Sequence, residues 1–250
     1  MRLLLRDNDN RRQHAMKSRT HADSGKATRR RFLASALALF TPALNAAADL
    51  ALTPRQSTGP FYPATLPLDR DNDLVQVSGR SGLAAGVLTH LSGRVSDERG
   101  HIFAGALVEI WQCNAYGRYH HPGDRRHAPL DENFQGYGRF TTGDDGRYRF
   151  RTIRPVPYPG RTPHIHFAVS APGIETLVTQ MYVAGEPGNR RDAVLNSIRD
   201  ERARARLIVP LLPAPGAAHE LQGHFDIVLS SGGGFALAEP ARLEALRRSV

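Results

Sequence analysis

Tyr158-Pro159-Gly160-Arg161-Thr162-Pro163-His164-Ile165-His166-Phe167 carries the reading on which the rest of the chain depends. Its second half alternates. Ile165, Phe167 and Val169 are apolar, and His164, His166 and Ala168 stand between them. Residues i and i+2 of an extended strand share one face. The pattern therefore predicts a strand that sends Ile165, Phe167 and Val169 into a core and both imidazoles into one pocket. The Pro- and Gly-rich half before it predicts a turn that brings Tyr158 and Arg161 to the same place. Most His-x-His pairs bind nothing. A phenol one turn away gives this pair more meaning, because imidazole and phenolate together suit a ferric ion, hard and strongly Lewis-acidic. Zinc more often recruits a thiolate or carboxylate as its third ligand.

Outward from this stretch the chain reads as short strands. Strands are expected over residues 88–95, 106–113, 165–170, 177–183 and 225–229. Residues 139–142 and 147–153, joined by Asp144-Asp145-Gly146, read as a hairpin, since Asp-Gly is a strong turn signal. Residues 49–87 are loop-like, yet Thr58-Gly59-Pro60-Phe61-Tyr62-Pro63 is aromatic enough to pack on something. Residues 193–207 give the one convincing helix of this region, with Val194, Leu195 and Ile198 on one side and Arg202, Arg204 and Arg206 on a solvated one. A further short helix is expected over residues 238–248. Regular short strands with one or two short helices and peripheral loops predict an all-β, two-sheet β-sandwich. It is expected to be a single domain over residues 49–250, with its core at about 88–231.

The formal charge of +9 invites a nucleic-acid reading, but the charge is unevenly placed. Residues 1–48 hold ten of the 33 Lys and Arg and only three of the 24 Asp and Glu. The remainder is nearly balanced, so a nucleic-acid partner is not expected. The leader reads as an export signal. Thr28-Arg29-Arg30-Arg31-Phe32-Leu33 has the twin-arginine pattern, residues 34–40 are apolar but too few to span a bilayer stably, and Ala46-Ala47-Ala48 offers a cleavage site. These features predict a periplasmic or secreted protein with no stable membrane span. Cys113 is the only cysteine, so no internal disulfide can form, and its apolar surroundings predict a packed thiol.

A family resemblance enters through several separated motifs. Val108-Glu109-Ile110-Trp111-Gln112-Cys113-Asn114-Ala115-Tyr116-Gly117-Arg118-Tyr119 resembles the strand and loop of the intradiol ring-cleavage dioxygenases, in particular the iron-bearing chains of the protocatechuate type and their exported relatives. Ala128-Pro129-Leu130-Asp131-Glu132-Asn133-Phe134, Phe150-Arg151-Thr152-Ile153-Arg154-Pro155 and Thr179-Gln180-Met181-Tyr182 continue the likeness in order, over roughly residues 53–230. The resemblance implies one Fe(3+) ion held by Tyr119, Tyr158, His164 and His166. Tyr119 and His166 would be equatorial, and Tyr158 and His164 axial. It implies Arg161 and Gln180 beside the bound ring. Thr58-Gly59-Pro60 resembles a segment that a separate iron-free chain supplies in the protocatechuate type; here it lies in the same polypeptide. Two departures stand out. The spacing from Tyr158 to His164 is compact, and Gly160 replaces an aromatic residue, which predicts a more open pocket that Tyr116 partly refills.

The activity implied is cleavage of a catechol-type ring by O2 to a cis,cis-muconate-type diacid. Tyr158 would leave the metal and take a substrate proton, while Arg161 and Gln180 would stabilise and orient the reacting ring. His120, His121 and His127 fit loop residues, since the ligand set is complete without them. The partners expected are a small catechol-type substrate and O2, with homo-oligomerisation left open. Two other classes are weighed. One is a non-catalytic secreted module that binds iron or aromatic compounds. The other is a colourless zinc hydrolase, for which no carboxylate stands at ligand spacing.

Overall fold

The computed structural model describes residues 49–232 and 239–248. The expected twin-arginine leader, residues 1–48, lies outside the described residues. Two five-stranded sheets face one another. The first is built on β1 (Leu88–Asp97), which pairs antiparallel with β4 (Arg147–Ile153) and parallel with β9 (Leu221–His224) and β10 (Ile227–Leu229). The short β8 (Leu212–Pro213) borders β9. The second sheet runs β3 (Tyr137–Thr141), β2 (Leu107–Trp111), β5 (His164–Ser170), β6 (Leu177–Val183) and β7 (Ile208–Val209). This is the expected all-β sandwich.

Burial follows the alternation of the sequence. In β4, Tyr148, Phe150 and Thr152 are buried, whereas Arg147 and Arg149 are exposed. Leu91, Val95, Tyr148 and Phe150 of the first sheet meet Val108, Ile110, Ile165, Phe167, Val169 and Met181 of the second. Each large side chain buried here contributes about 1.5–3 kcal/mol of transfer free energy. β5 and β6 are buried on both faces. Their outer face lies beneath a second cluster that includes Tyr62, Trp111, Tyr119, Tyr137, Ala168 and Val178. That outer face carries the histidines.

Two expectations are corrected. Residues 139–142 and 147–153 do not form a hairpin: β3 pairs with β2 in one sheet and β4 with β1 in the other. The Asp-Gly turn is real, with the Gly146 N–H donating to the Gly143 carbonyl at 2.9 Å. It carries the chain across the sandwich instead of back along one sheet. The single helix expected over 193–207 is two short ones, α1 (Ala193–Asn196) and α2 (Glu201–Ala205). Asp200 has extended φ and ψ of −68° and 114°, and its side chain accepts from the Arg202 and Ala203 amides. An N-cap in that conformation starts a new helix and cannot continue the previous one. The carboxy-terminal helix is present as α3 (Glu239–Arg248). Among the described residues no helix is long and apolar enough to cross a membrane.

Candidate metal centre

Strand register assembles the site. In the second sheet Trp111 stands opposite His166, and His166 opposite Gln180, while His164 stands opposite Tyr182. All of these side chains share the outer face. The turn Tyr158-Pro159-Gly160-Arg161 closes with the Arg161 amide donating to the Tyr158 carbonyl at 2.9 Å. Pro at its second position and Gly160 with φ of +82° at its third match a tight turn that only glycine enters without strain. Tyr158 and Arg161 are thereby set side by side. No atom lies within 4 Å of where a Cβ on the exposed Gly160 would be. Tyr116 is 51% exposed and makes none of the ring contacts of the site, so the structure gives no sign of the expected refilling.

The four proposed ligands meet. Ring centroids lie 5.8 Å apart for Tyr119 and Tyr158, 5.4 Å for Tyr158 and His164, 4.9 Å for His164 and His166, and 6.3 Å for Tyr119 and His166. The Tyr158 hydroxyl is 3.4 Å from His164 Nε2. His164 Nδ1 is 2.6 Å from the Thr162 carbonyl. A carbonyl can only accept, so Nδ1 carries the proton and Nε2 turns a lone pair towards the phenol. Trp111 stacks on His166 at 4.9 Å and 9°, fixing the plane of that imidazole. Burial, with Arg161 adding to it, depresses the pKa of His164 to about 3. Burial, with His164 and Arg161 adding to it, puts His166 well below its usual range. Burial pushes both tyrosines up. The quartet is therefore neutral without a metal.

The donor set fits a metal ion. The Tyr119 hydroxyl and His166 Nδ1 are buried without a well-formed hydrogen bond, and the Tyr119 hydroxyl lies near that of Tyr158. Buried polar atoms are nearly always paired, so two orphans on neighbouring rings ask for a ligand. Among the described residues no group of three His, Cys, Asp or Glu could hold a metal ion, so a metal here must use the phenols. The Cys113 thiol donates to the Val156 carbonyl, and burial pushes its pKa up to about 11, as suits a packed thiol. His120 and His127 are exposed, and His121 Nδ1 accepts from the Gly123 amide.

Arg161 and Gln180 also meet. Arg161 donates from Nε to Asp192 at 2.9 Å, and from Nη2 to Gln180 Oε1 at 2.5 Å and to the Tyr182 hydroxyl at 3.3 Å. Gln180 in turn donates to the Ser57 carbonyl at 3.1 Å. Gly59 lies against His166: a Cβ there would come within 3.1 Å of Cε1. The segment 58–60 thus lies over the site within one polypeptide. A cleft of about 360 Å³ opens between Tyr158, Gly160, Arg161, Glu186 and Arg191.

Several residues at the site escape the sequence reading. Tyr182 was discoverable, since it alternates with Gln180 on one strand. Phe61 was legible as part of an aromatic segment but not its destination, and Asp192 and Arg126 lie in loops and carry no local signal.

Comparison with known proteins agrees with this geometry. Residues 57–231 match the model of a family described as Dioxygenase. The chain is 41% identical over 184 residues to the protocatechuate 3,4-dioxygenase beta chain of Burkholderia cepacia, covering 70% of this chain and 78% of that one. It is 33% identical over 162 residues to a catechol 1,2-dioxygenase of Candida albicans, covering 57% of this chain and half of that enzyme's length. Among solved structures, the dioxygenase domain of a dioxygenase carbohydrate-binding protein fusion from Streptomyces sp. SirexAA-E superposes with a TM-score of 0.57 at 33% identity, covering 72% of this chain and 99% of that one. A family match over most of the described chain, together with relatives of this kind, means that the chain belongs to the intradiol ring-cleavage dioxygenases.

Proposed function

We propose that this chain is an exported non-haem Fe(III) intradiol dioxygenase, in which Tyr119, Tyr158, His164 and His166 hold the iron. The observation that carries the reading is the convergence of two phenols and two imidazoles, three of them buried and Tyr158 half-buried, with the Tyr119 hydroxyl and His166 Nδ1 lacking a well-formed hydrogen bond. The substrate is a catechol-type ring, as the names of the protocatechuate and catechol relatives suggest. The bond between the two hydroxyl-bearing carbons breaks, both atoms of O2 enter the product, and a cis,cis-muconate-type diacid leaves.

Tyr119, Tyr158, His164 and His166 would hold the ferric ion, which would supply Lewis acidity to a bound catechol. The protein does the rest. Tyr158 is the less buried of the two phenols and borders the open cleft. Once ionised by a bound ferric ion, its oxygen would be the group placed to take a proton from an incoming catechol hydroxyl. His164 stays neutral and oriented because its Nδ1–H is tied to the Thr162 carbonyl. Arg161, held from behind by Asp192, sets a fixed positive charge where the ring anion develops. The amide of Gln180 is held between Arg161 and the Ser57 carbonyl and orients the ring.

The test is the visible spectrum of the purified, iron-loaded protein, before and after anaerobic addition of catechol. A broad tyrosinate-to-Fe(III) band that moves to longer wavelength with catechol is expected, followed by O2 uptake on catechol, protocatechuate or hydroxyquinol. A colourless protein after iron loading ends the reading. A coloured protein with no O2 uptake on any catechol makes it a binding module. Export rests on Thr28-Arg29-Arg30-Arg31-Phe32-Leu33. Changing Arg29→Lys with Arg30→Lys in the full chain is expected to retain it in the cytoplasm, measured by cell fractionation.

A further inference from the structure

The loop after Tyr119 sets one of the chain's own cations in an aromatic box. The Arg126 guanidinium carbon lies 4.4 Å from the centre of the Tyr158 ring, 5.3 Å from Phe61 and 5.9 Å from Tyr119. Phe61 in turn stacks on Tyr119 at 4.6 Å. The guanidinium is held from the other side by a two-pronged ion pair with Asp124, Nε donating to Oδ1 at 2.7 Å and Nη2 to Oδ2. Asp124 is almost wholly buried, its side chain 1% exposed, and also accepts the Tyr119 amide at 2.8 Å. One ion pair therefore reaches both phenols: the carboxylate pins the main chain of Tyr119, and the guanidinium covers the ring of Tyr158. A forked Arg–carboxylate pair fixes the plane of the cation, which a lysine ammonium does not do. Attraction between a cation and a ring face grows as the ring gains negative charge.

We propose that Arg126 is a positioning residue for the tyrosine pair. Clamped by Asp124, it holds the Tyr158 ring by its face and limits how strongly that oxygen donates charge to the metal. The inference rests on the iron-site reading above. The Arg126 guanidinium lies on the ring of Tyr158 and outside the cleft beside Tyr158 and Arg161, which gives it a route through Tyr158.

The cation lowers the energy of the phenolate electrons. Removing it brings them closer in energy to the ferric acceptor. Arg126→Met is therefore expected to move the tyrosinate-to-Fe(III) band to longer wavelength, at wild-type iron content, and to change kcat while KM holds. Arg126→Lys keeps a charge without the fork, so its band is expected between those of the wild type and Arg126→Met. Arg126→Gln serves as the neutral variant should the methionine protein not fold. Wild-type protein that shows the band, with neutral variants that bind iron and leave the band unmoved, would overturn the clamp and spare the iron site. Iron-loaded wild-type protein without the band removes the iron site and this inference together.

Discussion

His164 and His166 show how one side chain's surroundings become a property of the protein. Both imidazoles are buried, and both titrate below their ordinary range, His164 at about 3. The unfolded chain takes up these protons near pH 6.5, and the folded metal-free protein refuses them until the pH is far lower. Stability from this source is full above about pH 6.5 and falls as the pH drops, by about 1.4 kcal/mol per pH unit for each histidine. Asp124 and Asp192, whose carboxyls are held low by their arginine and backbone donors, begin to matter only below the usual carboxylate range. The urea midpoint of metal-free protein is therefore expected to drop between pH 7 and pH 5. A flat midpoint over that window would mean that water reaches the imidazoles. Asp192 gives a second prediction at this scale. It is buried, pairs with Arg161, accepts the Thr162 amide and caps α1 through Leu195. Asp192→Ala leaves Arg161 without its carboxylate and is expected to cost about 3–5 kcal/mol in chemical denaturation. Activity should fall more than stability explains, since Arg161 is then free to turn away from Gln180.

Elements, rather than single residues, decide which of these groups meet. The two histidines and their partners Trp111, Gln180 and Tyr182 come from three neighbouring strands in register, so a slip of one residue turns them all to the other face. Such a face is legible in sequence because alternation repeats within each strand. Pairing between strands is not. The Gly143-to-Gly146 turn has the same local chemistry whether the chain returns in one sheet or crosses to the other, and the hairpin expectation failed for that reason. The segment 58–62 was legible as aromatic, but its destination was fixed by contacts with residues far along the chain, from Glu109 and Tyr119 to His166. Gly59 shows the tightness of that docking. It has φ of +70°, and a Cβ would meet His166 at 3.1 Å. Gly59→Ala is expected to cost about 1–3 kcal/mol from backbone strain alone, and to lower iron content by pushing on His166. Thermal melting with iron analysis reads both. A variant that melts and retains iron as the wild type does would place the segment away from the imidazole.

At the scale of the whole molecule, the last helix is tied to a buried charge on the outer face of the second sheet. Glu109 on β2 is fully buried. It accepts the Tyr62 hydroxyl at 2.9 Å, the Tyr137 hydroxyl at 2.6 Å, and Nη1 of Arg242 from α3. Residues 57–231 match the family model, so the cation that balances this carboxylate comes from beyond the matched region. Leu246 packs in the same outer cluster as Tyr62, Trp111 and Tyr119, and Arg247 donates to the Pro63 carbonyl at 3.3 Å. The tie reaches the candidate centre in two steps. Tyr62 sets its ring edge against Trp111 at 5.0 Å, and Trp111 stacks on His166. Breaking a buried ion pair by removing one partner costs more than the pair contributes, because the remaining charge stays desolvated. Arg242→Met is therefore expected to lose about 3–5 kcal/mol, and truncation after Gly232 at least as much. Glu109→Gln combined with Arg242→Met should lose less than the sum of the two single changes, since no bare charge then remains. Equilibrium denaturation of the four proteins closes the cycle. Strict additivity would show that α3 stabilises the fold by apolar packing alone. A coupling that appears together with a lower iron content in Arg242→Met would show that the terminal helix supports His166 through Tyr62 and Trp111.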